Sequence, residues 1–135
     1  MLDTSVLSEL RKRRGIDEGV RRWFSGVRRG GDLCISALAV GEIRQGVERL
    51  RPRDPRQAEA IEGWLSDIHR IYEGRIVAVN AEDADMWGRL NAPDPLPTID
   101  SLMAAQAISR DLTFVTGNPR DVERTGAKVL DPFER

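Results

Sequence analysis

The stretch Pro97-Thr98-Ile99-Asp100-Ser101-Leu102-Met103-Ala104-Ala105-Gln106-Ala107 decides how this chain is read. It begins as a loop and turns into a helix. Thr98 has the side chain of an N-cap, and Asp100 then falls in the first turn. Ala104, Ala105 and Ala107 give a small-residue face that can lie close against a sheet. One carboxylate is thereby held at a helix start, facing whatever lies beyond the sheet. The helix dipole alone favours an acid in a first turn, so Asp100 gains meaning only from its companions.

Outward from this helix, short apolar runs alternate with helical periodicity. Met1-Leu2-Asp3 reads as a very short first strand, followed by a helix with Val6, Leu7 and Leu10 on one face. Ile16, Val20, Trp23, Phe24 and Val27 recur at helical spacing. Arg28-Arg29-Gly30-Gly31 is expected to break that helix. Leu33-Cys34-Ile35 is a second, buried strand, and Val40, Ile43, Val47 and Leu50 mark the helix after it. A loop at 51–55 leads to a helix carrying Ala58, Ile61, Leu65, Ile68 and Tyr72. Ile76-Val77-Ala78-Val79 is a third strand, with a short helix over Ala84, Trp87 and Leu90 behind it. Residues 91–97 hold three prolines and form a loop. The Asp100 helix is expected to run to about Arg110, followed by a fourth strand at 112–116 and a short fifth at 128–130. Strands alternating with helices imply parallel βαβ units and a three-layer α/β/α fold. The length, 135 residues, suits one domain spanning 1–135.

The bulk composition excludes several classes. A net charge of -1 gives no overall basic field for nucleic acid. The basic residues are lopsided all the same, with Lys12 and Lys128 the only lysines among 21. Arginine clamps phosphate bidentately, although an arginine-rich composition also arises without function. The single cysteine, Cys34, excludes an internal disulfide and reads as a small hydrophobe. No apolar run reaches membrane length and no signal peptide is recognised, so the expected location is the cytoplasm, with no membrane contact. His69 alone cannot make a zinc or histidine-dependent site and is expected on a helix surface.

In a parallel α/β sheet, sites form beyond the carboxyl ends of the strands, where the strand order reverses. Four acids fall at such places: Asp3 after the first strand, Glu42 in the helix after the second, Asp100 before the fourth, and Asp121 after it. Each has a bland alternative. Asp3 caps the first helix, Glu42 pairs with a neighbouring arginine, and Asp121 completes a cap begun by Asn118 with Pro119 behind it. Together they are harder to dismiss. Clustered carboxylates repel and persist only where a cation neutralises them or one keeps its proton. Carboxylate oxygens suit Mg²⁺ or Mn²⁺.

Four segments carry a resemblance: Leu-Asp-Thr-Ser-Val-Leu-Ser-Glu-Leu at 2–10, Ser-Ala-Leu-Ala-Val-Gly-Glu-Ile-Arg-Gln-Gly at 36–46, Ile-Asp-Ser-Leu-Met-Ala-Ala-Gln-Ala at 99–107, and Thr-Gly-Asn-Pro-Arg-Asp at 116–121. With the closing Leu-Asp-Pro-Phe at 130–133, the chain resembles PIN domains, and more narrowly the VapC and FitB-like toxins of bacterial toxin–antitoxin pairs. The resemblance implies a central parallel five-stranded sheet and a metal-dependent ribonuclease acting as the toxin of such a pair. By position it implies that Asp3, Glu42, Asp100 and Asp121 are the catalytic, metal-binding acids. Thr4 and Thr116 match positions that orient acids or water, and Asn118 is a polar neighbour behind Asp121. Ser5 stands where many relatives have Asn, a change expected to matter little. The implied partners are RNA, a small antitoxin wrapping the helices around 6–10 and 40–50, and a second copy of the chain in a homodimer.

The expected reaction is hydrolysis of RNA phosphodiesters by a water on a bound ion. Arg11, Arg13, Arg14 and Arg44 are candidates to hold flanking phosphates. Two alternatives stay open: a DNA or flap-type nuclease on the same fold, and a non-catalytic α/β binding module. A receiver module would need paired acids after its first strand, and an Asp-x-Asp phosphatase is excluded by Asp3-Thr4-Ser5.

Overall fold

The structure is a computed structural model that describes residues 1–27 and 32–134. The expected break at Arg28-Arg29-Gly30-Gly31 lies outside the described residues. Six helices are described: α1 (Thr4–Arg11), α2 (Glu18–Val27), α3 (Ala37–Leu50), α4 (Pro55–Ile71), α5 (Ala81–Leu90) and α6 (Thr98–Ser109). Four parallel strands of two residues each are described with them, two between helices, β1 (Ile35–Ser36) and β2 (Ile76–Val77), and two after α6, β3 (Phe114–Val115) and β4 (Val129–Leu130).

Local chemistry explains where the helices begin. The Ser36 hydroxyl accepts from Leu38 N at 3.0 Å and starts α3. Asp54 caps α4 through Gln57 N at 3.2 Å, with Pro55 in the first turn, so the helix opens three residues before its first apolar marker, Ala58. Asn80 and Asp83 form a reciprocal capping box on α5. Thr98 corrects an expectation. It lies inside α6, and Pro97 occupies the cap position with no side-chain capping bond. Pro97 O accepts from Ser101 N at 2.9 Å, so the first turn closes on the backbone and leaves Thr98 nothing to cap.

β1 pairs with β2, β3 pairs with β4, and Leu2 bridges the two pairs through Ile35 and Val115. Leu2 N donates to Cys34 O at 2.9 Å and Val115 N to Met1 O at 2.9 Å, so the start of the chain is bonded on both sides. The expected first strand is thus one bridging residue, because the chain turns into α1 as soon as Asp3 caps it. The order β2–β1–Leu2–β3–β4 runs outward from Leu2 in both directions. Leu2 is the switch point, and Asp3 is the next residue.

Leu2, Ile35, Phe114 and Val115 form the buried sheet, packed against Val6, Ala39, Met103, Ala104 and Ala107. α3 packs on α4 and α5 on α6. α6 is buried nearly all round, which its alanines permit, and its polar residues are satisfied. Gln106 Nε2 donates to Val77 O at 3.1 Å, and its Oε1 accepts from Ser36 Oγ at 2.5 Å. Ser101 Oγ accepts from Trp87 Nε1 at 3.0 Å. His69 is exposed on α4, and Cys34 is only partly buried beside the core. Among the described residues no helix is long and apolar enough to cross a membrane.

Candidate active site

Four segments meet beyond the carboxyl end of the sheet. Asp3 ends the central bridge, Glu42 lies in α3, Asp100 in the first turn of α6, and Asp121 ends a short 3₁₀ turn (Pro119–Asp121) after β3. Asp3 is 4% exposed. Its Oδ1 accepts from Thr4 N at 2.8 Å, so it does cap α1. Its Oδ2 accepts from Ser5 Oγ at 2.9 Å and from Thr116 Oγ1 at 2.7 Å. One carboxylate thus both starts a helix and faces the site.

Among the described residues Glu42 pairs with no arginine. It accepts from Thr4 Oγ1 at 2.7 Å, which ties α3 to the start of α1. Asp100 is surrounded by negative charge. Burial, then the charges of Asp3, Asp121 and Glu42, push its carboxyl up to about 6, helped by a hydrogen bond with Asp121. The four acids expected from sequence are therefore brought within reach of each other's fields. Among the described residues none of the four is in an ion pair with lysine, arginine or histidine.

The donor set is all hard oxygen: four carboxylates with the hydroxyls of Thr4, Ser5 and Thr116 behind them. That chemistry suits Mg²⁺ or Mn²⁺ rather than zinc. As the side chains stand, no three of them converge on one ion position among the described residues. Asp3 and Glu42 are turned to their hydroxyl partners, and Asp100 to Asp121.

Two expectations about neighbouring residues change. Ser5 is more than a tolerated replacement: its hydroxyl donates to Asp3 and accepts from Gly117 N at 3.1 Å. It thereby ties the loop at 117–121 to Asp3. Asn118 sits at the cap position of the Pro119–Asp121 turn but makes no side-chain capping bond. Its backbone N donates to Thr116 Oγ1 at 3.0 Å, the hydroxyl that donates to Asp3. Both signals were local, a hydroxyl two residues after an acid and another two before Asn118, but only the fold reveals their partners.

The arginines divide. Arg44 bonds Glu48 at 3.1 Å and Glu62 at 2.5 Å across α3 and α4, so it is engaged within the surface. Arg11 lies over the Trp64 ring, 5.7 Å from its centroid. Arg13 and Arg14 are exposed. A cavity of about 450 Å³ lies beside the loop, lined by Gly117, Asn118, Arg120, Asp121 and Asp131.

Comparison with known proteins bears on the family and the fold. The PIN domain family matches residues 1–128. A curated relative, the "tRNA(fMet)-specific endonuclease VapC" of Shigella flexneri, is 31% identical over 101 residues, 71% of each chain. Among solved structures, FitAcB from Neisseria gonorrhoeae superposes with a TM-score of 0.83 at 24% identity, covering 97% of this chain and 96% of that one. DNA-bound VapBC from Salmonella typhimurium superposes at 0.69 with 26% identity, covering 98% and 96%.

Proposed function

The chain belongs to the PIN-domain family, and from that premise we propose that it is a toxin endoribonuclease of the VapC and FitB-like type that cleaves RNA phosphodiesters at the cluster Asp3, Glu42, Asp100 and Asp121. The observation that carries this reading is the charge gathered at the switch point: three carboxylates around Asp100 and, among the described residues, no cation in an ion pair with any of the four. We take residues 1–135 as one such domain of three layers, with the central strand of its five-stranded sheet reduced to Leu2.

Asp3, Glu42, Asp100 and Asp121 would hold Mg²⁺ or Mn²⁺. When bound, the ion supplies a water of lowered pKa and offsets charge at the phosphorus. The chain's own residues do the rest. Thr116 and Ser5 fix the direction of the Asp3 carboxylate, and Thr4 fixes Glu42. Burial and the charges of Asp3, Asp121 and Glu42 push the Asp100 carboxyl up to about 6, and a cation held there would favour its ionised form.

The partner surface is an apolar groove of about 280 Å³ between α1, α2 and α4, lined by Leu7, Leu10, Ile16, Phe24, Trp64 and Ile71. Ile71 is 52% exposed there. The α3 residues Ile43 and Val47 are buried, so this groove, rather than the 40–50 helix, is the surface for a cognate antitoxin. A homodimer remains part of the proposal.

The test is cleavage of labelled single-stranded RNA and DNA with Mg²⁺, with Mn²⁺ and with chelator, beside Asp100→Ala. RNA should be cut only with the ion, and Asp100→Ala should lose more than the 10–100-fold typical of an outer metal partner. DNA cut in preference to RNA would move the chain to the other nuclease class. Cleavage of neither, or full activity in Asp100→Ala, would sink the proposal.

A further inference from the structure

The closing segment at 131–134 has no role in the reaction described so far. Its contacts give it one. It leaves β4 directly beside the site loop, where Thr116 N donates to Leu130 O at 3.0 Å. Asp131 Oδ1 then accepts from Phe133 N at 3.0 Å and turns the chain. Beyond that turn the Phe133 ring lies on Gly117. A Cβ at Gly117 would come within 2.7 Å of Phe133 Cε2 and 3.0 Å of Cδ2. Only a glycine leaves room for the ring against the backbone, so the need here is space and not an unusual φ.

The segment is fastened on its far side as well. Glu134 N donates to Asp17 Oδ1 at 3.0 Å, and Glu134 reaches Arg22 at 3.4 Å. At Gly19 a Cβ would meet Pro132 O and lie 2.8 Å from Glu134 N. The tail is thus clamped to α2 at one end and pressed on the site loop at the other. Gly117 is gripped from two directions, by the Ser5 hydroxyl on its N–H and by Phe133 on its Cα. The next residues are Asn118 and, at the end of the 3₁₀ turn, Asp121.

We propose that Phe133 is a positioning residue: the segment at 131–134 holds the loop at 117–121, and with it Asp121, against the acid cluster. The proposal rests on reading that cluster as the nuclease site. Asn118 and Asp121 are exposed, and the Asp121 side chain interacts with Asp100. The ring on Gly117 is the packing that fixes the loop from outside, and a displacement of about 1 Å at such a site can cost on the order of 100-fold in rate.

The experiment compares Phe133→Ala, Phe133→Tyr and Gly117→Ala with the parent, reading amide hydrogen exchange across the chain and RNA cleavage kinetics. In Phe133→Ala, exchange should accelerate at 117–122 and stay at parental rates in α3 and α5. Its kcat should fall on the order of 10–100-fold with KM close to the parent's. Phe133→Tyr keeps the ring and should restore both. Gly117→Ala keeps the tail but displaces the ring, and should repeat the kcat loss even if Phe133→Ala folds poorly. Unchanged kcat in Phe133→Ala and Gly117→Ala, or a kcat loss that Phe133→Tyr does not rescue, would overturn the proposal. A parent that cleaves no nucleic acid, with the exchange change still confined to 117–122, would instead remove the nuclease reading and leave the contact's hold on the loop standing.

Discussion

Asp83 and Asp100 are carboxylates in adjacent helices with opposite fates. Asp83 is fully buried, yet it titrates below its ordinary value. Burial opposes its charge most strongly, but Arg110 at 2.5 Å and the Asn80 N–H at 2.9 Å together outweigh that. At Asp100, burial first, then the charges of Asp3, Asp121 and Glu42, push the carboxyl up to about 6, and among the described residues no cation is paired with it. The first carboxylate is finished: its charge is matched inside the fold. The second is unfinished, and its environment improves only when positive charge arrives from outside. On the proposed reading, this contrast separates an acid that holds the structure from one that serves the chemistry.

The largest effect should come from breaking the finished pair. Asp83→Ala removes the carboxylate partner of Arg110, leaving its guanidinium on the Gln106 and Ala78 carbonyls, and removes half of the α5 capping box. It should cost about 3–5 kcal/mol of stability, the range for removing one partner of a buried ion pair, while Mg²⁺ still shifts the melting temperature of whatever remains folded. Denaturant unfolding measures the first and thermal melting the second. A cost near zero would make Asp83 as dispensable as a surface acid.

The next effect is on activity. Asp121→Asn keeps the shape of the loop and removes one charge from the unfinished cluster. Cleavage should fall roughly 10–100-fold, with an unfolding midpoint at or above the parent's because repulsion is relieved. Full activity would return Asp121 to the role of a turn residue and leave Asp3, Glu42 and Asp100 as the site.

The smallest effect sharpens the comparison by pH. In the folded chain without divalent ions Asp100 keeps its proton up to about 6. In the unfolded chain it releases it near 4, the ordinary value. Between those values the folded state binds the extra proton, so stability should fall as pH rises through the window and level off above it. Melting temperatures in chelator from pH 4 to 7 should show this slope in the parent and a flatter one in Asp100→Asn. Equal slopes would mean that Asp100 does not carry the shift.

Much of this was legible in the chain itself. The helices fall where the apolar spacing put them, because the period of 3.6 is written residue by residue. α4 starts earlier than its apolar pattern, since Asp54 and Pro55 set the start. The strands were located to within a few residues, but each keeps only two paired positions. The pattern at 1–3 could not reveal that the central strand shrinks to Leu2, because the length of a ladder depends on its partners. Asp3, Glu42, Asp100 and Asp121 were all named from their places at strand ends and helix starts.

Sequence by itself determined the alternation of short apolar runs and amphipathic helices, and the four acids set at their boundaries. These follow from local geometry and from which residue types tolerate burial. Tertiary structure alone decided which charges are matched. Asp83 finds Arg110, 27 residues away, and Asp3 finds Thr116, 113 residues away. It also decided that Ser5 and Phe133 close on the same glycine from opposite ends of the chain. Electrostatic compensation and close packing are properties of neighbours in space, and a chain read in order does not contain its neighbours.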